Sequence, residues 1–222
     1  ETIPCRLADN PSYLTFGDSE KTVYSEGVFV GYRYYDAREM QVAFPFGYGL
    51  SYTTFAYSNL RLDRQEITDQ ETLTVSVDIT NTGNVAGKEV VQLYIRDNTR
   101  ACRRPDKELK GYEKVTLEPG ETKTVTMMLD YRSFAWYNTD LKDWYAASGK
   151  YDVMVGTSSR QICLSASVQI NSSIRLPLKL DLNTTLAELS TDDRTVKYGE
   201  YLKNKSYAFS VNMEGMKLYQ EM

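Results

Sequence analysis

Between Phe55 and Ile170 apolar side chains return at every second position, in short runs broken by turn-forming residues. The clearest run is Thr72 to Thr80. There Leu73, Val75, Val77 and Ile79 alternate with Thr72, Thr74, Ser76, Asp78 and Thr80. A period of two puts one set on each face of a strand. The alternation repeats at Val91, Leu93 and Ile95, at Val125, Met127 and Leu129, and at Tyr151, Val153 and Val155. A last strand offers Ile162, Leu164, Ala166, Val168 and Ile170. Phe55 and Tyr57 are out of phase with Leu60 and Leu62, which predicts a bulge between them.

The connectors carry turn chemistry. Asn81-Thr82-Gly83-Asn84 and Ser148-Gly149-Lys150 supply residues that tolerate positive φ, and Glu118-Pro119-Gly120-Glu121 has the Pro-Gly order of a type II turn. About seven short, half-buried strands predict a mainly β fold over 55–170. The expected form is an antiparallel sandwich of the immunoglobulin or fibronectin type III kind. Leu73, Val75, Val77, Leu93, Ile95, Val125, Met127 and Val153 are its expected core.

Both flanks read differently. Pro4, Asn10-Pro11 and Gly17 predict extended coil from Glu1 to Ser19. From Tyr24 to Phe55, aromatics crowd around Gly27, Gly47 and Gly49 without strand or helix period. Residues 1–54 are therefore expected to form an irregular strap whose rings need covering. Residues 171–222 read as a partly helical tail, with Thr184 as a cap and a weak stripe at Phe209, Met213, Met216 and Met222.

Composition narrows the function classes. The chain has 222 residues, 41% hydrophobic and 25% charged, as ordinary globular domains do. No apolar run reaches the roughly 18 residues of a membrane helix, and no leader is recognisable. A start at Glu1 rather than Met suits a piece of a longer protein. The net charge of −4 argues against nucleic acid as a partner. Arg100, Arg103 and Arg104, flanked by Asp97 and Asp106, read as a solvated loop. Three well-separated cysteines form no Cys-x-x-Cys pair, which suits buried or incidental thiols in a reducing compartment such as the cytoplasm. The absence of histidine removes Ser-His-Asp and Cys-His chemistry and His-ligated metals.

Five blocks resemble glycoside hydrolase family 3, the β-glucosidase family. They are YSEGVFVGYRYYD (Tyr24 to Asp36), FPFGYGLSYTTF (Phe44 to Phe55), GKEVVQLYIRD (Gly87 to Asp97), RPDKELKGYEKVTLEPGE (Arg104 to Glu121) and GKYDVMVGTSS (Gly149 to Ser159). The resemblance implies the linker from an α/β domain followed by that family's terminal β-sandwich. It implies a parent enzyme that hydrolyses terminal β-linked sugars with retention and without a cofactor. Such chemistry needs two carboxyl groups about 5–5.5 Å apart. In the family these lie on the barrel and on a loop before the Tyr24 block, so no residue here inherits a catalytic role. Glu26, Arg33, Tyr34, Tyr35, Asp36, Phe44, Phe46 and Tyr48 are candidates for docking against neighbouring domains, or for the substrate mouth. Glu26 is expected to pair with Arg33 or Arg38. Position 48 is often His in the family and is Tyr here. Trp136, Tyr137, Trp144 and Tyr145 suit the sandwich core better than an exposed sugar platform. The expected partners are the catalytic barrel and α/β domains of the same enzyme and, through them, a β-glucoside or oligosaccharide. The bare strap also suggests self-association into a homo-oligomer. An autonomous carbohydrate-binding or adhesive module is the alternative.

Overall fold

A computed structural model describes residues 1–176, apart from 18, 19 and 22. The predicted helical tail lies outside the described residues. In chain order the elements are β1 (Ile3–Pro4), α1 (Tyr32–Ala37), β2 (Val42–Phe44), β3 (Phe55–Leu62), β4 (Glu66–Thr68), β5 (Leu73–Asn81) and β6 (Gly87–Asp97). There follow β7 (Glu108–Leu117), β8 (Thr122–Leu129), β9 (Trp136–Asn138), β10 (Asp143–Tyr145), β11 (Gly149–Gly156) and β12 (Ile162–Asn171).

Two sheets face each other. One has the order β4-β12-β11-β6-β7 and the other β3-β5-β8. Pairing is antiparallel except at one edge, where β4 runs parallel to β12. The alternation on β5 is realised without exception: Leu73, Val75, Val77, Ile79 and Asn81 are buried, and the residues between them are half-buried. All eight predicted core residues lie in a single buried cluster with Phe134, Tyr151 and Ile170. Removing a Leu or Val of this kind from water contributes roughly 1.5–3 kcal/mol each.

The expected bulge is present. The β3–β5 register shifts between Ser58 and Arg61, and Asn59 takes φ 52°. At the β7–β8 turn Gly120 has φ 76°, and the Glu121 N–H donates to the Glu118 carbonyl at 3.0 Å. Asn81 to Asn84 turns without positive φ. Its geometry comes instead from the Asn81 side chain, which accepts from the Gly83 N–H (3.0 Å) and donates to the carbonyls of Val85 (2.9 Å) and Leu117 (3.0 Å).

The strap is more ordered than its sequence predicts. Leu7–Asp9 forms a 3-10 turn, and β1 pairs with β2. Tyr32 to Ala37 forms a short helix that buries Tyr32 and Tyr35. Six residues are too few for a helical period to stand out, and the helix is held by what it lies on. Strap and sandwich together make one compact unit, Glu1–Arg175.

Candidate functional site: the strap on the sheet

β6 explains why the strap folds back. Val91, Leu93 and Ile95 point into the sandwich, so Gln92 and Tyr94 must point outward. Both are nevertheless buried. Their cover is the strap. Tyr32 stacks on Phe46 with ring centroids 4.6 Å apart and meets Tyr94 edge-on at 6.2 Å. Met154, Leu109 and Ile162 complete this second apolar cluster.

Polar contacts fix the register. The β6–β7 pairing shifts between Leu93 and Tyr94, and the Leu109 N–H there donates to the Tyr32 hydroxyl at 2.8 Å. Gln92 divides its amide between the strap and the sandwich. Its Nε2 donates to the carbonyls of Gly47 (3.1 Å) and Thr157 (2.6 Å), and its Oε1 accepts from the Tyr94 hydroxyl (2.6 Å). Gly47 has φ 81°, and a Cβ there would lie 2.1 Å from Gln92 Oε1. Only glycine lets the backbone pass so close to that amide. From the β11–β12 turn, the Ser159 N–H donates to the Phe46 carbonyl at 2.9 Å. Arg160 donates to Asp36 Oδ1 (2.8 Å) and to the carbonyls of Tyr35 (3.2 Å) and Met40 (2.7 Å).

The eight candidate residues divide accordingly. Asp36 and Phe46 face the sandwich, Tyr35 is buried among strap residues, and Lys107 Nζ also reaches Asp36 Oδ2 at 3.6 Å. Arg33 pairs with Glu108 at 3.7 Å instead of Glu26. Arg38 lies 5.0 Å over the Tyr34 ring, and Tyr34 packs edge-on against Tyr35. Phe44 and Tyr48 lean on each other and remain exposed. Glu26 lines an open cleft of about 400 Å³ with Asn10, Ser12, Tyr32 and Tyr35. Leu7, Leu14, Phe16, Tyr24, Leu50 and Tyr52 are bare. The strap therefore has two faces, one spent on the sheet and one uncovered.

Sequence reading missed Gln92, Tyr94 and Arg160. The near-continuous apolar run Val-Val-Gln-Leu-Tyr-Ile, with Val90 and Tyr94 at outward positions, was a readable signal that the outer face of β6 is not solvated. Arg160 carried no such signal. The basic loop also needs correction, because the Arg104 side chain is largely covered by protein. It donates to Glu108 Oε1 (2.7 Å), Asp97 Oδ2 (3.2 Å) and the Phe134 carbonyl (2.8 Å). Its neighbour Arg103 caps the Phe29 ring at 5.1 Å. The aromatic hairpin β9–β10 is mixed: Tyr145 is buried and Trp144 packs on the core, whereas Tyr137 is exposed. Cys5 and Cys163 are exposed, Cys102 is half-buried, and all three thiols are free.

These carboxylates give the fold an acid limit. Burial alone would raise Glu108, but the charges of Arg104 and Lys110 and their hydrogen bonds hold it below the usual carboxylate range. Asp106 is held low in the same way, by Arg96 and Lys107 against its burial. Hydrogen bonds from Arg61, Thr124 and Asn59 pull Asp78 well down. A carboxyl group with a depressed native pKa stabilises the fold above its unfolded value and loses that contribution as pH falls. Burial pulls Lys110 down from the usual ammonium range, against the opposing pull of Glu108. The urea midpoint should hold steady from neutral pH to about 5 and fall below about 4, where unfolded carboxylates protonate. Equal midpoints at pH 7 and pH 3 would contradict these assignments.

Comparison with known proteins agrees with this geometry. Residues 89–159 match the fibronectin type III-like domain family. Thermostable beta-glucosidase B of Acetivibrio thermocellus is 46% identical over 216 residues, covering 96% of this chain and 29% of that protein. The crystal structure of a Bifidobacterium adolescentis GH3 beta-glucosidase superposes with a TM-score of 0.77 at 40% identity, over 89% of this chain and 29% of that one. The chain matches the C-terminal, fibronectin type III-like region of glycoside hydrolase family 3 β-glucosidases. Beta-glucosidase 3B from Thermotoga neapolitana, solved with glucose, gives a TM-score of 0.69 at 41% identity over 76% of this chain and 23% of that one. This fibronectin type III-like region spans less than a third of the length of the relatives it matches. The 89% coverage exceeds the sandwich and everything after it, so the match extends into the strap.

Proposed function

We propose that this chain is the non-catalytic C-terminal part of a retaining β-glucosidase, and that it supports the domains which carry out hydrolysis. The observation that carries the reading is the two-faced strap. One face is locked to the sandwich, and the other presents Leu14, Phe16, Tyr24, Leu50 and Tyr52 to an absent neighbour. Apolar patches of this kind mark interaction surfaces. The barrel and α/β domains of the same enzyme are its natural cover, and β-linked glucosides are the substrate they would hydrolyse. Without that cover, the isolated chain should associate with itself through the same face.

The purified chain should release no nitrophenol from an aryl β-glucoside, whereas the longer protein that contains it should turn the substrate over. Nucleophile and proton donor must act as a positioned pair, and a single acid cannot supply both. Turnover by the isolated chain, abolished by mutating one of its own acidic residues, would overturn the reading. Retention of the chain on insoluble cellulose or xylan would favour an autonomous carbohydrate-binding module instead.

A further inference from the structure

The β11–β12 turn is built for more than reversing the chain. A two-residue hairpin would suffice to join those strands, yet residues 157–161 form a longer, braced loop. The Thr157 N–H donates to the Gln161 carbonyl at 3.0 Å, and the Gln161 N–H donates to Ser158 Oγ at 3.0 Å. Gly156 admits no side chain, because a Cβ would lie 2.1 Å from the Gln161 carbonyl oxygen. Having stiffened itself, the loop directs its outward groups at the strap. The Thr157 carbonyl shares the Gln92 amide with Gly47, the Ser159 N–H takes the Phe46 carbonyl, and Arg160 takes three acceptors at the end of α1. Two of those acceptors are main-chain carbonyls, so the Arg160 guanidinium fixes backbone as well as the Asp36 carboxylate. The planar guanidinium suits several fixed acceptors at once, which an ammonium group does not.

We propose that Arg160 is a positioning residue: it sets the strap on the sandwich so that the strap's outward face meets the catalytic domains in one fixed pose. This rests on the functional reading above. Nothing in the sandwich core needs Arg160, whose side chain is partly exposed and joins no ion pair there. Its contacts serve the strap. A shift of the strap by about 1 Å would move whatever it packs against, and misplacements of that size can cost up to about a hundredfold in rate.

The test uses the longer enzyme containing this chain, with Arg160→Ala and Arg160→Lys, assayed on an aryl β-glucoside. The urea unfolding midpoint of each 222-residue variant is measured in parallel. Arg160→Ala should lower kcat/KM by about tenfold or more and leave the sandwich midpoint unchanged. Arg160→Lys should recover part of the loss, because it returns a positive charge beside Asp36 without both carbonyl contacts. Unchanged kcat and KM in Arg160→Ala would overturn the proposal, as would a loss of activity that follows the sandwich midpoint downward. If the unsubstituted longer protein hydrolyses no β-glucoside, the functional reading fails first and the positioning role falls with it.

Discussion

Replacing Arg104 with alanine is expected to destabilise the fold by about 3–5 kcal/mol, the range for removing one partner of a buried ion pair. The guanidinium is 9% exposed and lies between Asp97, 5% exposed, and Glu108, 14% exposed. It also satisfies the carbonyls of Phe134 and Ala135, which begin the aromatic hairpin. After truncation Glu108 keeps Lys110 at 3.1 Å and Arg33 at 3.7 Å, but Asp97 loses its ion-pair partner. Arg104→Lys should fall between wild type and alanine, because an ammonium group cannot fork toward both acids and the carbonyls. Urea denaturation measures the difference, and a cost below about 1 kcal/mol would mean that the pair behaves like an exposed one.

Leu93→Ala should cost about 2–5 kcal/mol. Leu93 is fully buried on β6, flanked in the ladder by Val155 of β11 and Gly111 of β7. Both neighbours belong to strands hydrogen-bonded to β6, so the cavity cannot collapse without disturbing a strand. Leu164 is only half-buried, on β12, and provides the control. Equal costs for Leu93→Ala and Leu164→Ala in the same titration would mean that the centre of the core lies elsewhere.

The sandwich was legible because its strands read in alternation and its turns carry their own chemistry. β5 is the plainest case, with five buried positions at period two. The strap was legible only as a composition. Its rings announced that something must cover them, but sequence could not divide those facing the sheet from those left bare. That division depends on β6, 45 residues or more downstream of the strap positions it meets, and on Arg160, further still. Local pattern does not record such distances. Arg104 was misread for a related reason: a run of arginines beside acids looks the same whether water or protein surrounds it. Its burial follows from the β9–β10 hairpin folding over it, which no nearby residue encodes.

The covering of β6 by α1 also changes where the smallest expressible fragment begins. The family match at 89–159, or the strand pattern starting at Phe55, would suggest cutting there. A fragment so cut would bare Tyr94, Met154, Leu109 and Ile162 to water and leave the Leu109 N–H without its phenol. It would also strand the Gln92 amide facing the missing Gly47 carbonyl. Such a fragment should be prone to aggregate, whereas one beginning ahead of Gly31 keeps the sheet's own lid.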